Sequence, residues 1–461
     1  MREAAATVAR LAAAFEEIGV DEGARIAVIG ANSPWHYIVH VAASWLRAVT
    51  VPLSPRMPSP ALTSMCEQVG VSWVFLDEAS SRTHAPALSD AGAQVASFAD
   101  LSAWADRAAP IGHPPARCGN ELAAILFTSG STGTPRPVEL THEVMWWGST
   151  NFREGFDYAP TSSVVGVCAP TSHIGGFNGT SMDTWTHGGT LVTLGFPGSF
   201  DARGVIDAIE RYGITMMFAV PAIVRAILDE HERGGGDLSS WMRPLIGGDA
   251  MTADLADAMR AAGLSPIHVW GMTETSGAGT VATPDSEAPA GSLGVPFPYV
   301  DLRLMATDER EAGVGELGEI WVRGPGVVSG AEWLRTGDLA TKDEDGWLHM
   351  VGRAHRMINT GGELVAPPTV ERALRSLDEV LDALVVGLPD ERWGQIVAAL
   401  IVPSPEGRAQ ASSMSTEALS EALSDAQAPW EKVRRVLIVD ALPTTTTGKP
   451  DPVAAARLFD S

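Results

Sequence analysis

The sequence predicts an α/β protein. It has a large N-terminal domain of helix-covered, mostly parallel sheets with a β-rich lobe, and a small α+β C-terminal domain. Short Val/Ile/Leu runs alternate with amphipathic helical stretches up to Gly291, which is the pattern of parallel strands buried on both faces. From Gly291 the texture changes to shorter strands joined by Gly/Asp turns, then to a compact mixed pattern after Gly352. At 461 residues the chain also exceeds what one hydrophobic core supports. A boundary near 352–356 divides it into residues 1–352 and 353–461.

Residues 3–18 carry apolar positions at helical spacing, and Arg25–Ile29 is a short apolar strand. Pro34–Val49 reads as a helix and Val51–Leu53 as a strand; Ala61–Gly70 and Val71–Leu76 repeat the unit. Leu122–Phe127 is a further apolar strand, followed by a Gly/Ser/Thr loop running to Val138. Beyond it lie strands near Ser163–Val167, Thr190–Thr193, Met216–Ala219 and Pro244–Gly247, with helices at Arg203–Tyr212 and Pro221–Glu230. The lobe holds strands at Val300–Met305, Gly318–Arg323 and Trp347–Val351. The last part has a helix at Pro368–Leu377, strands at Glu379–Gly387 and Ile396–Val402, and a Ser/Glu/Ala-rich stretch over 404–428.

A formal net charge of −24 without any basic block argues against non-specific nucleic-acid binding and against anionic membrane surfaces. No run reaches the length of a membrane span, and Met1-Arg2-Glu3 leads into an amphipathic helix rather than a signal peptide, so a cytoplasmic location is expected. Cys66, Cys118 and Cys168 are too scattered for a disulfide framework and read as small core residues. Of 32 basic residues only Lys342, Lys432 and Lys449 are lysines.

Five segments carry chemistry. In Phe127–Val138 (FTSGSTGTPRPV), glycines let successive N–H groups approach an anion and Ser129, Ser131 and Thr132 add donors. No Gly-Lys-Ser/Thr follows, so the loop is not a Walker A. In Val269–Thr275 (VWGMTET), Trp270 offers a stacking face, Thr273 a hydroxyl for a phosphate oxygen, and Glu274 a carboxylate suited to Mg²⁺. Thr336-Gly337-Asp338 presents a carboxylate able to accept two ribose hydroxyls. Gly352-Arg353 with Thr360-Gly361-Gly362-Glu363 joins a cation to a flexible glycine turn. Leu442–Lys449 (LPTTTTGK) sets a flexible ammonium on a polar loop, where it can offset charge on a transferring phosphoryl group. Each alone also reads as an ordinary turn; their order and separation distinguish them.

In that order the five segments resemble the adenylate-forming superfamily of acyl- and aryl-CoA ligases, luciferases and nonribosomal adenylation domains. The resemblance covers nearly the whole chain. The texture of Met357–Glu371 (MINTGGELVAPPTVE) and Leu388–Gln395 (LPDERWGQ) is closest to 4-chlorobenzoate– and 4-coumarate–CoA ligases. It implies ATP, Mg²⁺ and coenzyme A, and a small-molecule acid activated as acyl-AMP with release of pyrophosphate. Thr128, Ser129, Gly130, Ser131, Thr132 and Gly133 would wrap the β- and γ-phosphates. Gly247, Gly248, Asp249 and Trp270 would flank the adenine, Gly271 and Met272 would also belong to the ATP site, Thr273 would touch the α-phosphate, and Glu274 would hold Mg²⁺. Asp338 and Arg353 would bind ribose, and Lys449 would bridge carboxylate and α-phosphate. His173, in Pro170–Gly176 (PTSHIGG), would lie beside the acyl site and gate the thiol. The small domain would be mobile about a hinge at His355, exchanging Lys449 for the Gly361-Gly362 turn, which would line the pantetheine tunnel.

Departures from the family pattern are Arg136-Pro137 in place of Lys-Gly, Arg356 in place of an acid, Pro450 after Lys449, a short Val327–Thr336 stretch, and the lack of the customary leading segment. The acid pocket would be built by His173–Asn178, Phe218–Pro221, Gly247–Ala250 and Met272–Gly279, small and apolar segments that suit an aryl or short unsaturated acid. Coenzyme A leads as acceptor. The same motifs serve amide synthetases, carrier-protein-loading enzymes, nitrite-using diazotases and non-catalytic nucleotide binders. A homodimer and a carrier protein stand open as partners.

Overall fold

The computed structural model describes residues 2–112, 119–128, 135–196, 200–249, 251–289, 291–405, 407–409, 416, 430–445 and 450–459. By its contacts the chain divides into two compact units. One comprises Met1–Leu302 with Val322–Leu334, the other Arg303–Trp321 with Arg335–Ser461.

The first unit contains two sheets. Strands β1 (Arg25–Ile29), β2 (Val49–Leu53), β3 (Val71–Leu76), β4 (Gln94–Ser97), β5 (Leu122–Thr128) and β6 (Arg136–Thr141) form one in the order β4-β3-β1-β2-β5-β6. All its pairs are parallel except β5 with β6. Both faces are covered: Phe15, Leu11 and Phe75 belong to one buried cluster, and Leu62, Leu76 and Ile125 to the other. Strands β7 (Val164–Val167), β8 (Thr190–Thr193), β9 (Met216–Ala219), β10 (Arg243–Gly247), β11 (Ile267–Trp270), β12 (Thr280–Ala282) and β13 (Val295–Pro296) form the second, ordered β13-β12-β11-β10-β9-β7-β8. Its five strands from β11 to β8 run parallel, as their β-branched and apolar runs predict.

Two boundaries differ from the sequence reading for identifiable reasons. The helix expected over Pro34–Val49 stops at Trp45, because Arg47 turns into the left-handed region at φ +58° and Val49 N–H then bonds the Ala24 carbonyl to enter the sheet. The loop expected to run to Val138 gives way to β6 at Arg136. Pro137 sits opposite Phe127 on an edge strand, where a missing N–H is tolerated.

The second unit carries an antiparallel hairpin of β16 (Leu334–Lys342) and β17 (Leu348–Arg353) within a four-stranded sheet that also includes β14 (Asp301–Met305) and β15 (Gly318–Arg323). A further sheet comprises β18 (Ile358–Thr360), β19 (Glu363–Val365), β20 (Val380–Asp390), β21 (Gly394–Pro403) and β22 (Arg435–Ile438). Its two faces are buried against separate clusters, one containing Val370, Leu374 and Val385, the other Leu384, Leu400 and Phe459. Among the described residues no helix is long and apolar enough to cross a membrane.

Candidate active site

In an open α/β sheet, ligands bind outside the carboxyl ends of the parallel strands, where loops diverge and helix N-termini point. Because β7, β9, β10 and β11 are mutually parallel, four of the segments singled out from sequence leave the same edge. His173 follows β7, Val220 and Pro221 follow β9, Gly248 and Asp249 follow β10, and Gly271 to Glu274 follow β11. Asn32, just beyond β1, ties the other sheet to this edge. Its amide nitrogen donates to the carbonyls of Val167 and Ala169 at 3.0 and 2.8 Å, and its oxygen accepts the Thr171 N–H at 3.0 Å.

The turn after β11 is tightly closed. A Cβ on Gly271 would stand 2.1 Å from the Gly277 carbonyl oxygen, so only glycine fits. The Thr275 hydroxyl accepts the Met272 N–H at 3.0 Å, and Gly277 N–H returns to the Met272 carbonyl at 2.9 Å. Thr273–Thr275 is consequently one 3₁₀ turn. The Thr273 hydroxyl and the Glu274 carboxylate are half-buried on it, and neither has a hydrogen-bonding or ionic partner among the described residues. A carboxylate so placed fits a divalent cation, which takes carboxylate and phosphate oxygens. Strand β6, which leaves the Gly/Ser/Thr loop, runs against this turn. Thr128 ends β5, its hydroxyl 3.4 Å from the Arg136 carbonyl; Ser129, Gly130, Ser131, Thr132 and Gly133 lie outside the described residues.

Trp270 is buried at the end of β11, with its six-membered ring lying over Gly279, where a Cβ would come within 2.4 Å. Gly248 has φ +79°, a left-handed conformation that turns the chain out of β10, and Asp249 beyond it is exposed. Phe218 is wedged between Gly175 and Gly247: a Cβ on either glycine would meet its ring, at 2.6 and 3.0 Å respectively. His173 is half-buried and immediately precedes the short helix Ile174–Phe177. Burial pushes the thiols of Cys66 and Cys168 up to about 12, so both behave as the core residues expected; Cys118 is outside the described residues.

In the second unit, Asp338 faces Arg353 across the β16–β17 pair, and Arg353 Nε lies 2.8 Å from Asp338 Oδ1. The structure thus brings the two expected ribose ligands together. A residue missed in the sequence supports them: Glu319 accepts the Gly337 N–H, Trp321 Nε1–H and Arg335 Nε–H, each at 3.0 Å, and so fixes the Thr336-Gly337-Asp338 turn at Gly337, φ +72°. His355 occupies a 3₁₀ turn, its basicity lowered first by burial and then by the charges of Arg353 and Arg356. Arg356 lies 3.6 Å from Glu371.

Gly361 and Gly362 are the two central residues of the β18–β19 hairpin, both at positive φ (+66° and +94°), as a two-residue turn requires. Gly361 abuts Trp393: its N–H donates to the Trp393 carbonyl at 2.8 Å, and a Cβ would stand 2.7 Å from the indole. Arg392 and Arg434 each stack 4.8 Å from the Trp393 ring centroid. The cluster was also missed: Arg392 and Trp393 are neighbours in LPDERWGQ, but Arg434 is distant in sequence and stacking leaves no local signature. Lys449 lies outside the described residues.

The AMP-binding enzyme family model matches residues 1–330, and the AMP-binding enzyme C-terminal domain model matches residues 369–449. The chain is 32% identical over 459 residues to feruloyl-CoA synthase of an Amycolatopsis species, covering 96% of this chain and 90% of the relative. It is 29% identical over 469 residues to indoleacetate–CoA ligase of Aromatoleum aromaticum, again covering 96% and 90%. The ATP-bound structure of MatB from Rhodopseudomonas palustris superposes with a TM-score of 0.87 at 23% identity, over 100% of this chain and 93% of that one. MenE from Bacillus subtilis, in complex with ATP and magnesium ion, gives 0.85 at 23% identity, over 98% and 93%. The chain belongs to the AMP-binding enzyme family, and its fold is that of adenylate-forming enzymes.

Proposed function

We propose that the protein activates a neutral aryl or short unsaturated carboxylic acid with MgATP and transfers the acyl group to coenzyme A. ATP-dependent acid activation followed by transfer to coenzyme A is the reaction that the family and its CoA-ligase relatives support. The observation that carries the assignment to this edge is the Thr273–Thr275 turn. It holds a hydroxyl and a carboxylate without protein partners among the described residues, against the strand that leaves the phosphate-loop sequence.

A carboxylate is a poor acyl donor because its leaving group would be oxide. Attack of its oxygen on the α-phosphorus forms one P–O bond and breaks the bond to the β-phosphate, releasing pyrophosphate. Thr273 would hold an α-phosphate oxygen and the Asp338–Arg353 pair the ribose, while Lys449 would offset charge on the pentavalent phosphorus. Glu274 would hold Mg²⁺, which supplies further charge neutralisation on the phosphates. The thiol of coenzyme A, losing its proton, then attacks the acyl carbon and AMP leaves. His355 would serve as the hinge between the two steps.

Two observations support the substrate classes. The described residues of His173–Asn178, Phe218–Pro221, Gly247–Asp249 and Met272–Gly279 include no lysine or arginine to balance a second carboxylate, and Phe218 provides a flat wall. For the acceptor, Arg392 and Arg434 stack on Trp393 beside the Gly361 turn, a cationic, aromatic surface in an acidic chain and one suited to a phosphorylated nucleotide. The test is acid-dependent exchange of pyrophosphate into ATP across an aryl-acid panel, followed by mass spectrometry after adding coenzyme A, amines or nitrite. Acyl-adenylate that yields no thioester overturns the acceptor assignment in favour of an amide synthetase or carrier-loading enzyme. A diazo product formed with nitrite points to a diazotase, and no exchange with any acid overturns the activation step.

A further inference from the structure

Buried polar groups join the His173–Asn178 segment to the turn that carries Thr273 and Glu274. Asn178 is 1% exposed. Its amide nitrogen donates to the Met145 carbonyl at 3.1 Å and to Ser276 Oγ at 2.9 Å, and its amide oxygen accepts from Ser149 Oγ at 3.4 Å. Both donor hydrogens are therefore spent within the protein, so the side chain is committed to structure rather than to a ligand. Ser276 is fully buried and directly follows the 3₁₀ turn Thr273–Thr275. Its φ of +53° is in the left-handed region, which a serine rarely occupies and which clusters near functional sites. Gly148 allows the approach of the helix His142–Gly155, since a Cβ there would stand 2.5 Å from Ser276 Oγ.

We propose that Asn178 and Ser276 are a positioning pair for acid activation. Their hydrogen bond holds Ser276 left-handed and thereby fixes the direction in which the Thr273 hydroxyl and Glu274 carboxylate leave the turn. Because Asn178 lies on the same segment as His173, the bond also sets the distance between the acid side and the phosphate side of the edge, and reaction rates depend steeply on such distances. A buried hydrogen-bonded network of this kind selects one geometry out of several. The assignment rests on the adenylation reading above.

Asn178→Ala removes the bonds to Met145, Ser149 and Ser276 and leaves space in the interior, and that variant can fail to fold. Ser276→Gly removes the acceptor while accepting φ +53° without strain, so the two are measured together with the double variant. The assay is pyrophosphate exchange by the full chain at varied acid, ATP and Mg²⁺, with the thermal midpoint as control. Ser276→Gly is expected to lower kcat about tenfold or more and to raise the Mg²⁺ needed for half-maximal rate, with KM for the acid changed less than about twofold. The double variant should be no slower than Asn178→Ala, since that variant already lacks the bond that Ser276→Gly breaks. If Asn178→Ala does not fold, Ser276→Gly decides alone. Wild-type kcat and Mg²⁺ dependence in Ser276→Gly, or losses that multiply in the double variant, overturn the proposal while leaving acid activation intact. Failure of the wild-type protein to exchange overturns the activation reading itself, and this assignment with it.

Discussion

Gly361→Ala should separate the two half-reactions. At φ +66° an alanine costs about 1–2 kcal/mol relative to glycine. Its Cβ would also stand 2.7 Å from Cε3 of Trp393, closer than real Cβ contacts come, and overpacking of this kind costs about 1–3 kcal/mol. The sum, about 2–5 kcal/mol, must be met by opening the turn or displacing Trp393 from its contacts with Arg392 and Arg434. Since about 1.4 kcal/mol is tenfold in population, the native arrangement becomes at least about thirtyfold rarer. Thioester formation from preformed acyl-adenylate, followed by rapid quench and mass spectrometry, should fall by about that factor, with pyrophosphate exchange within about twofold of wild type. Gly362→Ala is the internal control: it too has positive φ, but nothing lies within 4 Å of its Cβ, so it should lose only the backbone part. Equal losses in both half-reactions, or a wild-type rate of thioester formation in Gly361→Ala, would refute the reasoning.

Three further outcomes are expected. Lys449→Ala should reduce exchange about a hundredfold to a thousandfold while calorimetry still detects ATP binding, because one transition-state donor typically contributes that much. Asp338→Ala should raise KM for ATP more than it lowers kcat, and should also release Arg353, whose Nε lies 2.8 Å from Asp338 Oδ1; an unchanged KM would remove the ribose assignment. Burial lowers the imidazoles of His36 and His40 to about 4 and about 3, so below pH 6.5 the unfolded chain binds protons that the folded chain refuses, and stability falls as pH drops from 6.5 toward those values. At pH 5 each contributes a loss of about 2 kcal/mol, so urea midpoints measured at about pH 7.5 and pH 5 should differ, and less so in His40→Gln. A variant with the full wild-type pH dependence would exclude His40 as a cause.

The parallel sheets were legible because burial on both faces demands continuous apolar strands, and Arg25–Ile29, Val71–Leu76 and Met216–Ala219 satisfy that demand locally. Strand β6 was not, because Pro137 disguises an edge strand as a loop. Helix Phe98–Arg107 was not read from the sequence although Ser97 and Asp100 form a capping box, a signal present in the sequence. At the proposed site, the motifs were readable as residue types in order. Their supports were not: Asn178 and Ser276 are 98 residues apart, and Glu319 reaches Gly337 across 18, so only the folded chain shows that they meet.

The edge strand β6 bears on how the protein behaves when concentrated. An open sheet edge is a template on which another chain's strand can add, and such additions seed aggregates. Here that rim carries the exposed charges of Arg136 and Glu139 either side of Pro137, which has no N–H to offer. Strand addition at this rim is therefore disfavoured. Pro137→Val would restore a donor to the rim and is the substitution most apt to turn a clear concentrated solution cloudy.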